Sequence, residues 1–191
     1  MRGLASLRDH SQTEIMTKQN KLSGPTVKAI PEGDTLPRLV CPDCGFINYV
    51  NPKIVVGAIC EWEDKVLLCK RAIEPRLGYW TPPGGFMELD ETTAEGAQRE
   101  VWEEACARVE IGQLIGIFEI PHISQVHMFY HARLITPEYA AGPESQDVAL
   151  FTEEEIPWDD LAFSSGTWAM RRFFDGDESV GHTLGHLKPK F

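Results

Sequence analysis

The stretch Gly84-Gly85-Phe86-Met87-Glu88-Leu89-Asp90-Glu91-Thr92-Thr93-Ala94-Glu95-Gly96-Ala97-Gln98-Arg99-Glu100-Val101-Trp102-Glu103-Glu104 decides how the rest of the chain is read. It opens with two glycines directly after Pro82-Pro83, so a tight loop comes first. Thr92, followed three residues later by Glu95, is a capping-box pattern and predicts a helix over 93–106. On that helix Glu100, Glu103 and Glu104 stand at i, i+3 and i+4, which places their carboxylates on one face. Like charges at this spacing destabilise a helix slightly, and the macrodipole disfavours anions near its C-terminal end. Folding gains nothing from such crowding, whereas a divalent cation would use it. Hard cations such as Mg²⁺ take carboxylate, water and phosphate oxygens as ligands. Bound beside a diphosphate, they neutralise its charge and lower the pKa of a bound water. Arg99 is the one base between Glu88 and Glu104 and can pair with Glu91 to hold the loop against the helix. Gly85 has no side chain, so its carbonyl can approach a metal closely. Taken alone, the three acids also fit an ordinary solvated face.

Working outward, 54–60 is a β-rich apolar run and 65–71 runs back after the acidic turn Glu61-Trp62-Glu63-Asp64, which predicts a hairpin. Strand-like runs follow at 109–118, 126–134 and 148–151, with a final helix over 165–174. The order β-β-α-β-β-β-α predicts an α+β fold, a mixed sheet packed between helices as an α-β-α sandwich, over 53–191. Upstream, 21–52 is rich in turn formers and carries Cys41-Pro42-Asp43-Cys44-Gly45, a tight-knuckle signature, so it reads as a small appendage. Residues 1–20 are polar and aperiodic and read as a disordered extension. Arg2, Arg8 and several serines faintly echo a transit peptide, but Asp9 and Glu14 oppose that reading.

Hydrophobic content of 42% with 25% charged residues suits a globular protein. The net charge of −11 gives no electrostatic footprint for a nucleic-acid backbone, so no such partner is expected. Divalent cations would still let so acidic a protein bind a phosphorylated substrate. No apolar run is long enough to span a membrane, and none is expected as a partner. Cys41, Cys44, Cys60, Cys69 and Cys106 make an odd count without disulfide spacing, which suggests reduced thiols and a cytoplasmic location.

Gly85, five residues, Glu91, seven residues, Arg99-Glu100, the aliphatic Val101, one residue, then Glu103-Glu104 resembles the Nudix box. The resemblance implies the Nudix fold and a hydrolase of nucleoside diphosphates linked to another group, dependent on Mg²⁺ or Mn²⁺. It implies Gly85, Glu100, Glu103 and Glu104 as metal ligands, with Glu103 and Glu104 also catalytic and Glu91 with Arg99 as an orienting pair. Members often add a distal-loop glutamate as ligand or base, and Glu144 in Gly142-Pro143-Glu144-Ser145 is placed for that role. Glu88 is a weaker candidate. The box normally ends in Gly where this chain has Cys106, so a changed helix end or tolerated strain is expected there. The Pro82-Pro83 pair also departs from the usual Leu before Pro.

The knuckle, with the run from Tyr49 to Gly57, resembles a subgroup bearing an N-terminal zinc ribbon. Structural zinc needs four N or S ligands, and Cys41 and Cys44 lack a second upstream pair, so zinc is not expected here. Gly78-Tyr79-Trp80-Thr81, residues 141–145 and Ile156-Pro157-Trp158 look like enzymes with FAD or ADP-ribose pyrophosphatase activity. A flat adenine or flavin ring needs aromatic or apolar walls, for which Tyr79, Trp80, Phe86 and Phe129 are available. His122, His127 and His131 cluster on the same strands, as polar fillers or phosphate contacts. NADH hydrolysis and a non-catalytic nucleotide regulator on the same fold are the alternatives. A nucleic-acid module built on the knuckle conflicts with the charge. Homodimer formation, common in the family, stays open.

Overall fold

A computed structural model describes residues 23–185, and the N-terminal extension expected over 1–20 lies outside the described residues. The chain divides into two compact units, Met1–Asn51 and Pro52–Phe191.

In the first unit β1 (Val27–Ala29), β2 (Arg38–Val40) and β3 (Ile47–Asn48) form a three-stranded antiparallel sheet. The knuckle joins β2 to β3. Cys41 N donates to Phe46 O at 2.8 Å, and Gly45 N donates to Cys41 O at 2.9 Å. Cys41 is buried and Cys44 exposed, and the backbone N–H groups of Cys44 and Asp43 hold the Cys41 thiol below its ordinary pKa.

The second unit is built on β4 (Lys53–Trp62), β5 (Lys65–Arg71), β6 (Trp80–Thr81), β7 (Gly84–Phe86), α1 (Thr93–Ala105), β8 (Val109–Ile120), β9 (Gln125–Leu134), β10 (Ser145–Phe151), α2 (Ser164–Phe174) and β11 (Gly181–Leu184). The main strand order is β10-β5-β4-β9-β8-β11, with β6 beside β5 and β7 beside β4. Pairing is mixed: β4 runs parallel to β9 and β11 parallel to β8, and the other pairs are antiparallel. The expected hairpin is present, closed by Glu61 against Val66 and Trp62 against Lys65.

Alternation along the central strands sorts the core into two layers. Ala58 and Cys60 of β4 and Leu67 and Cys69 of β5 pack with Val101 and Ala105 of α1. Ile59 of β4 and Val66 and Leu68 of β5 pack on the other side with Ala169 and Met170 of α2. The sheet therefore lies between two helices, which is the α+β sandwich expected from the order of elements. Burial of both faces also explains why 54–60 and 65–71 read as nearly continuous apolar runs. Cys60 and Cys69 are core residues, and burial raises both thiol pKa values. Among the described residues no helix is long and apolar enough to cross a membrane.

Candidate active site

The helix that carries the acids begins as its sequence dictates. Glu95 N donates to Thr92 Oγ1 at 3.2 Å and Thr92 N donates to Glu95 Oε2 at 2.8 Å, so the capping box is closed on both sides. Its far end is unusual. Cys106 takes φ 49° and ψ 24°, the left-handed conformation that favours glycine, while its N–H still reaches Trp102 O at 2.9 Å. The helix end is thus retained and the strain tolerated.

Two further amides finish the terminus: Ala140 N donates to Ala105 O and Gly142 N to Glu104 O, both at 2.9 Å. A Cβ on Gly142 would collide with the backbone oxygen of Glu103, so only glycine lets this loop dock on α1. The docking brings Glu144, two residues on, to the edge of the cleft that the acids line.

Arg99 is the hub of the site. Its Nε and Nη2 donate to the two oxygens of Glu91 at 3.0 and 2.9 Å, a bidentate pair. Nη1 donates to Glu100 Oε1 at 2.8 Å and to Glu103 Oε2 at 2.9 Å, and Nη2 also reaches Phe86 O at 3.0 Å. The Arg99 guanidinium and the Glu88 backbone N–H, 2.7 Å away, hold the Glu91 carboxyl down to about 2. The same carboxylates raise the pKa of Arg99.

Glu100 and Glu104 are buried, and that burial dominates their titration. The Glu104 carboxyl is pushed up to about 7 by burial, against the pull of the Gly84 N–H donating to its Oε2 at 3.1 Å. Glu100 and Glu144 add like-charge repulsion, and Arg71 opposes it. Glu100 is raised for the same leading reason, with Arg99 opposing. Gly85 lies on Glu100 so closely that a Cβ there would stand 2.5 Å from its Oε1. A side chain at this position would therefore have to push the Glu100 carboxylate aside.

The acids open on a cleft of about 1280 Å³. Gly85, Arg99, Glu100, Glu103, Glu104 and Glu144 all line it, as do Glu88, Phe86 and Phe129. Tyr79 and Trp80, expected as ring walls, lie outside its lining. Trp80 instead packs edge-on against Phe151 with ring centroids 5.0 Å apart, and Tyr79 carries Arg76 over its ring. The histidines separate too. His122 and His127 line the cleft, whereas His131 bonds Glu61 at 2.8 Å and stacks near Phe173. His127 is buried between Ser165 Oγ and Gln125 Oε1, each at 2.9 Å, and burial lowers its pKa to about 4.

Arg71, Phe163 and Ser165 also line the cleft and were not singled out by the sequence. Arg71 ends an apolar strand run, and Phe163 and Ser165 sit at the start of a helix far along the chain. Only the pairing of distant strands brings them together.

Among the described residues no group of three His, Cys, Asp or Glu side chains stands ready to hold an ion. In this arrangement Glu100 and Glu103 lean on Arg99, and Glu104 turns to Gly84. The oxygen donors still suit a hard cation, since two buried carboxylates and a side-chain-free glycine face one cleft. Among the described residues no third Cys, His, Asp or Glu side chain joins Cys41 and Cys44 as a ready metal group.

A NUDIX domain family model matches residues 51–175, which takes in the whole box and most of the sheet. The chain belongs to the NUDIX family. A second model, described as Nudix N-terminal, matches residues 23–50, the segment of the knuckle. The chain is similar to an ADP-ribose pyrophosphatase of Methanocaldococcus jannaschii, 30% identical over 57% of this chain and 67% of that protein. It is 32% identical to a MutT-like protein of Streptomyces ambofaciens over 53% of this chain and 64% of that one, less than two thirds of that relative's length. Among solved structures, a NUDIX hydrolase from Nitrosomonas europaea is 51% identical, with a TM-score of 0.78 over 83% of this chain and 91% of that one. By family and fold the chain is a Nudix hydrolase.

Proposed function

We propose that this Nudix hydrolase cleaves the phosphoanhydride of a nucleoside diphosphate linked to a second group, with ADP-ribose or FAD as substrate and Mg²⁺ or Mn²⁺ as cofactor. The products would be a nucleoside monophosphate and a second phosphorylated fragment. One observation carries the reading: two buried carboxylates, Glu100 and Glu104, stand beside the glycine loop in a cleft of about 1280 Å³. Burying such acids is expensive unless a cation compensates them. Similarity to the archaeal ADP-ribose pyrophosphatase supports the substrate class.

Glu100, Glu103, Glu104 and the Gly85 carbonyl would hold the ion. When bound, it supplies charge neutralisation at the phosphates and a more acidic water. Coordination requires Glu103 to leave Arg99. Its side chain is 54% exposed, and exposed ion pairs are worth little, so the move is inexpensive. Arg99 stays anchored by its bidentate bond to Glu91, which keeps the loop and α1 in register. Glu144, which lines the cleft, would accept the proton of the attacking water. Phe86 and Phe129 offer apolar walls for the base or flavin ring.

The test is steady-state hydrolysis of ADP-ribose, FAD and NADH with Mg²⁺ or Mn²⁺, with products identified by mass. Glu103→Gln and Glu104→Gln should each lower kcat/KM at least about 100-fold, since metal-linked charge stabilisation amounts to several kcal/mol. Equal activity in wild type and both variants on every substrate would refute the reading. Tight nucleotide binding without turnover would favour the nucleotide regulator instead.

A further inference from the structure

The cleft that the acids line also holds a largely buried cation, which makes no ion pair among the described residues although its charge acts on Glu104. Arg71 is only 8% exposed and lines the cleft. Its Nε donates to Pro75 O at 2.9 Å, which fixes the side chain against the loop after β5. Among the described residues neither Nη1 nor Nη2 has a hydrogen-bond partner, and no carboxylate lies within ion-pair distance. In a chain of net charge −11, a mostly buried guanidinium whose two terminal nitrogens bond no acceptor among the described residues has donors to offer to the cleft.

The start of α2 meets the same place. The Arg71 guanidinium lies 5.1 Å from the ring centre of Phe163, the residue that caps α2. That cap supplies no side-chain hydrogen bond, and the first turn has no acidic residue. The N–H groups of Ser164, Ser165 and Gly166 have no acceptor among the described residues, and all three residues line the cleft. The Ser165 hydroxyl is committed to His127 Nδ1, which ties the turn to β9. Unpaired amides at a helix N-terminus attract anions, and a guanidinium beside them adds a full charge and two free donors in fork geometry.

We propose that Arg71 and the uncapped first turn of α2 form an anion subsite that grips a phosphoryl group of the diphosphate substrate. The inference rests on the pyrophosphohydrolase reading and deepens it. The acids and their ion attend one phosphate, while Arg71 and the α2 amides hold the charge of its neighbour. A diphosphate would then be held by the cation that the acids bind and by the fixed donors of Arg71 and α2 in the same cleft. The arrangement also selects against uncharged compounds, which would offer the guanidinium no anion.

The test uses the full chain and two probes. Inorganic phosphate is titrated in the presence of EDTA and followed by phosphorus NMR, so that no metal contributes. ADP-ribose hydrolysis is measured with Mg²⁺. Wild type should bind phosphate without metal, and Arg71→Met should weaken that binding at least about tenfold, as the loss of a charge-assisted bidentate contact implies. Arg71→Lys should recover part of it. Ser164→Asp should weaken phosphate binding while raising the melting temperature, because an acid in the first turn suits the helix dipole but repels the ligand. A purely structural role for the turn would move the two readouts together. In hydrolysis, Arg71→Met should raise KM for ADP-ribose more than it lowers kcat. Phosphate binding that is equal in wild type, Arg71→Met and Ser164→Asp, or seen only with Mg²⁺, overturns the subsite. Phosphate binding through Arg71 with an unchanged KM overturns its assignment to substrate. Hydrolysis and phosphate binding both indifferent to Arg71 refute the subsite and leave the activity standing. Phosphate capture through Arg71 without hydrolysis of any diphosphate refutes the activity and leaves the subsite standing.

Discussion

Replacing Cys106 by glycine should stabilise the protein, and the size of the gain follows from the backbone. Cys106 holds φ 49° and ψ 24° at the end of α1. An L-residue with a Cβ loses about 1–2 kcal/mol in that region relative to a right-handed conformation. Glycine removes the clash but carries about 0.5–1 kcal/mol more unfolded-chain entropy, so a net gain of about 1 kcal/mol remains. The unit Pro52–Phe191 has roughly 140 residues. With an unfolding entropy of about 2.1 cal/mol/K per residue, that gain corresponds to a rise in Tm of about 3 °C. The N–H bond to Trp102 O belongs to the backbone and survives the change.

The assay is thermal unfolding followed by circular dichroism, with Cys106→Ala as the comparison. Alanine keeps the Cβ and hence the strain, and it removes only an exposed thiol, so its Tm should stay near that of wild type. If Cys106→Ala gained as much as Cys106→Gly, the thiol and not the backbone would be the cause. If Cys106→Gly gained nothing, the argument from left-handed strain would be wrong.

Gly142→Ala should be destabilising by about 1–3 kcal/mol in urea unfolding, because the loop must lift off α1 to relieve the contact with Glu103 O. It should also lower kcat by displacing Glu144, and full activity would show that this docking does not matter. His127 gives a pH signature. Its folded pKa of about 4 lies below the ordinary 6.5, so the unfolded chain takes up the proton first as the pH falls. Its contribution is whole above pH 6.5 and is lost between 6.5 and about 4, up to about 3 kcal/mol. Glu100 and Glu104, with raised pKa values, act in the opposite sense across much of that window. The comparison is therefore between wild type and His127→Asn by urea unfolding from pH 4 to 7.5. A wild-type slope no different from the variant's would remove His127 from the account. Mg²⁺ binding should be linked to loss of the Glu104 proton, since the ion needs the carboxylate. With a pKa of about 7, affinity measured by calorimetry should fall about fivefold from pH 7 to pH 6, and Glu104→Gln should flatten that dependence.

The parts of this protein legible in its sequence are those fixed by short-range spacing. The capping box lies within four residues, the Arg99–Glu91 pair within eight, and the hairpin turns on a few acidic residues, so each could be read directly. The strands β1, β2, β3, β6, β7 and β11 have only two to four residues, too few to show a period, and they exist through their partners. Tyr79 and Trp80 illustrate a second limit. Aromatic character marks a residue as apolar but not which face it takes, and Trp80 faces Phe151. Arg71 could not be picked out at all, because its meaning lies in the absence of a partner that only three-dimensional packing defines.

The acids themselves show where local reasoning stops. On spacing alone Glu100, Glu103 and Glu104 form a single crowded group that fits either a solvated face or a metal. In the folded protein Arg99 already answers two of them, bonding Glu100 and Glu103 at 2.8 and 2.9 Å. Glu104 is left with a backbone amide and a carboxyl that burial pushes up to about 7. The demand for a cation therefore falls unequally. It is greatest at Glu104, lessened at Glu100 by the guanidinium, and least at the exposed Glu103, which can turn toward an ion at little expense. Glu103 and an ionised Glu104 would hold a divalent ion, Glu103 turning from Arg99 to do so, while the bond from Arg99 to Glu91 keeps the helix and loop in place. Glu104→Gln should accordingly stabilise the metal-free fold by removing a buried acid, and abolish the further stabilisation that Mg²⁺ gives the wild type.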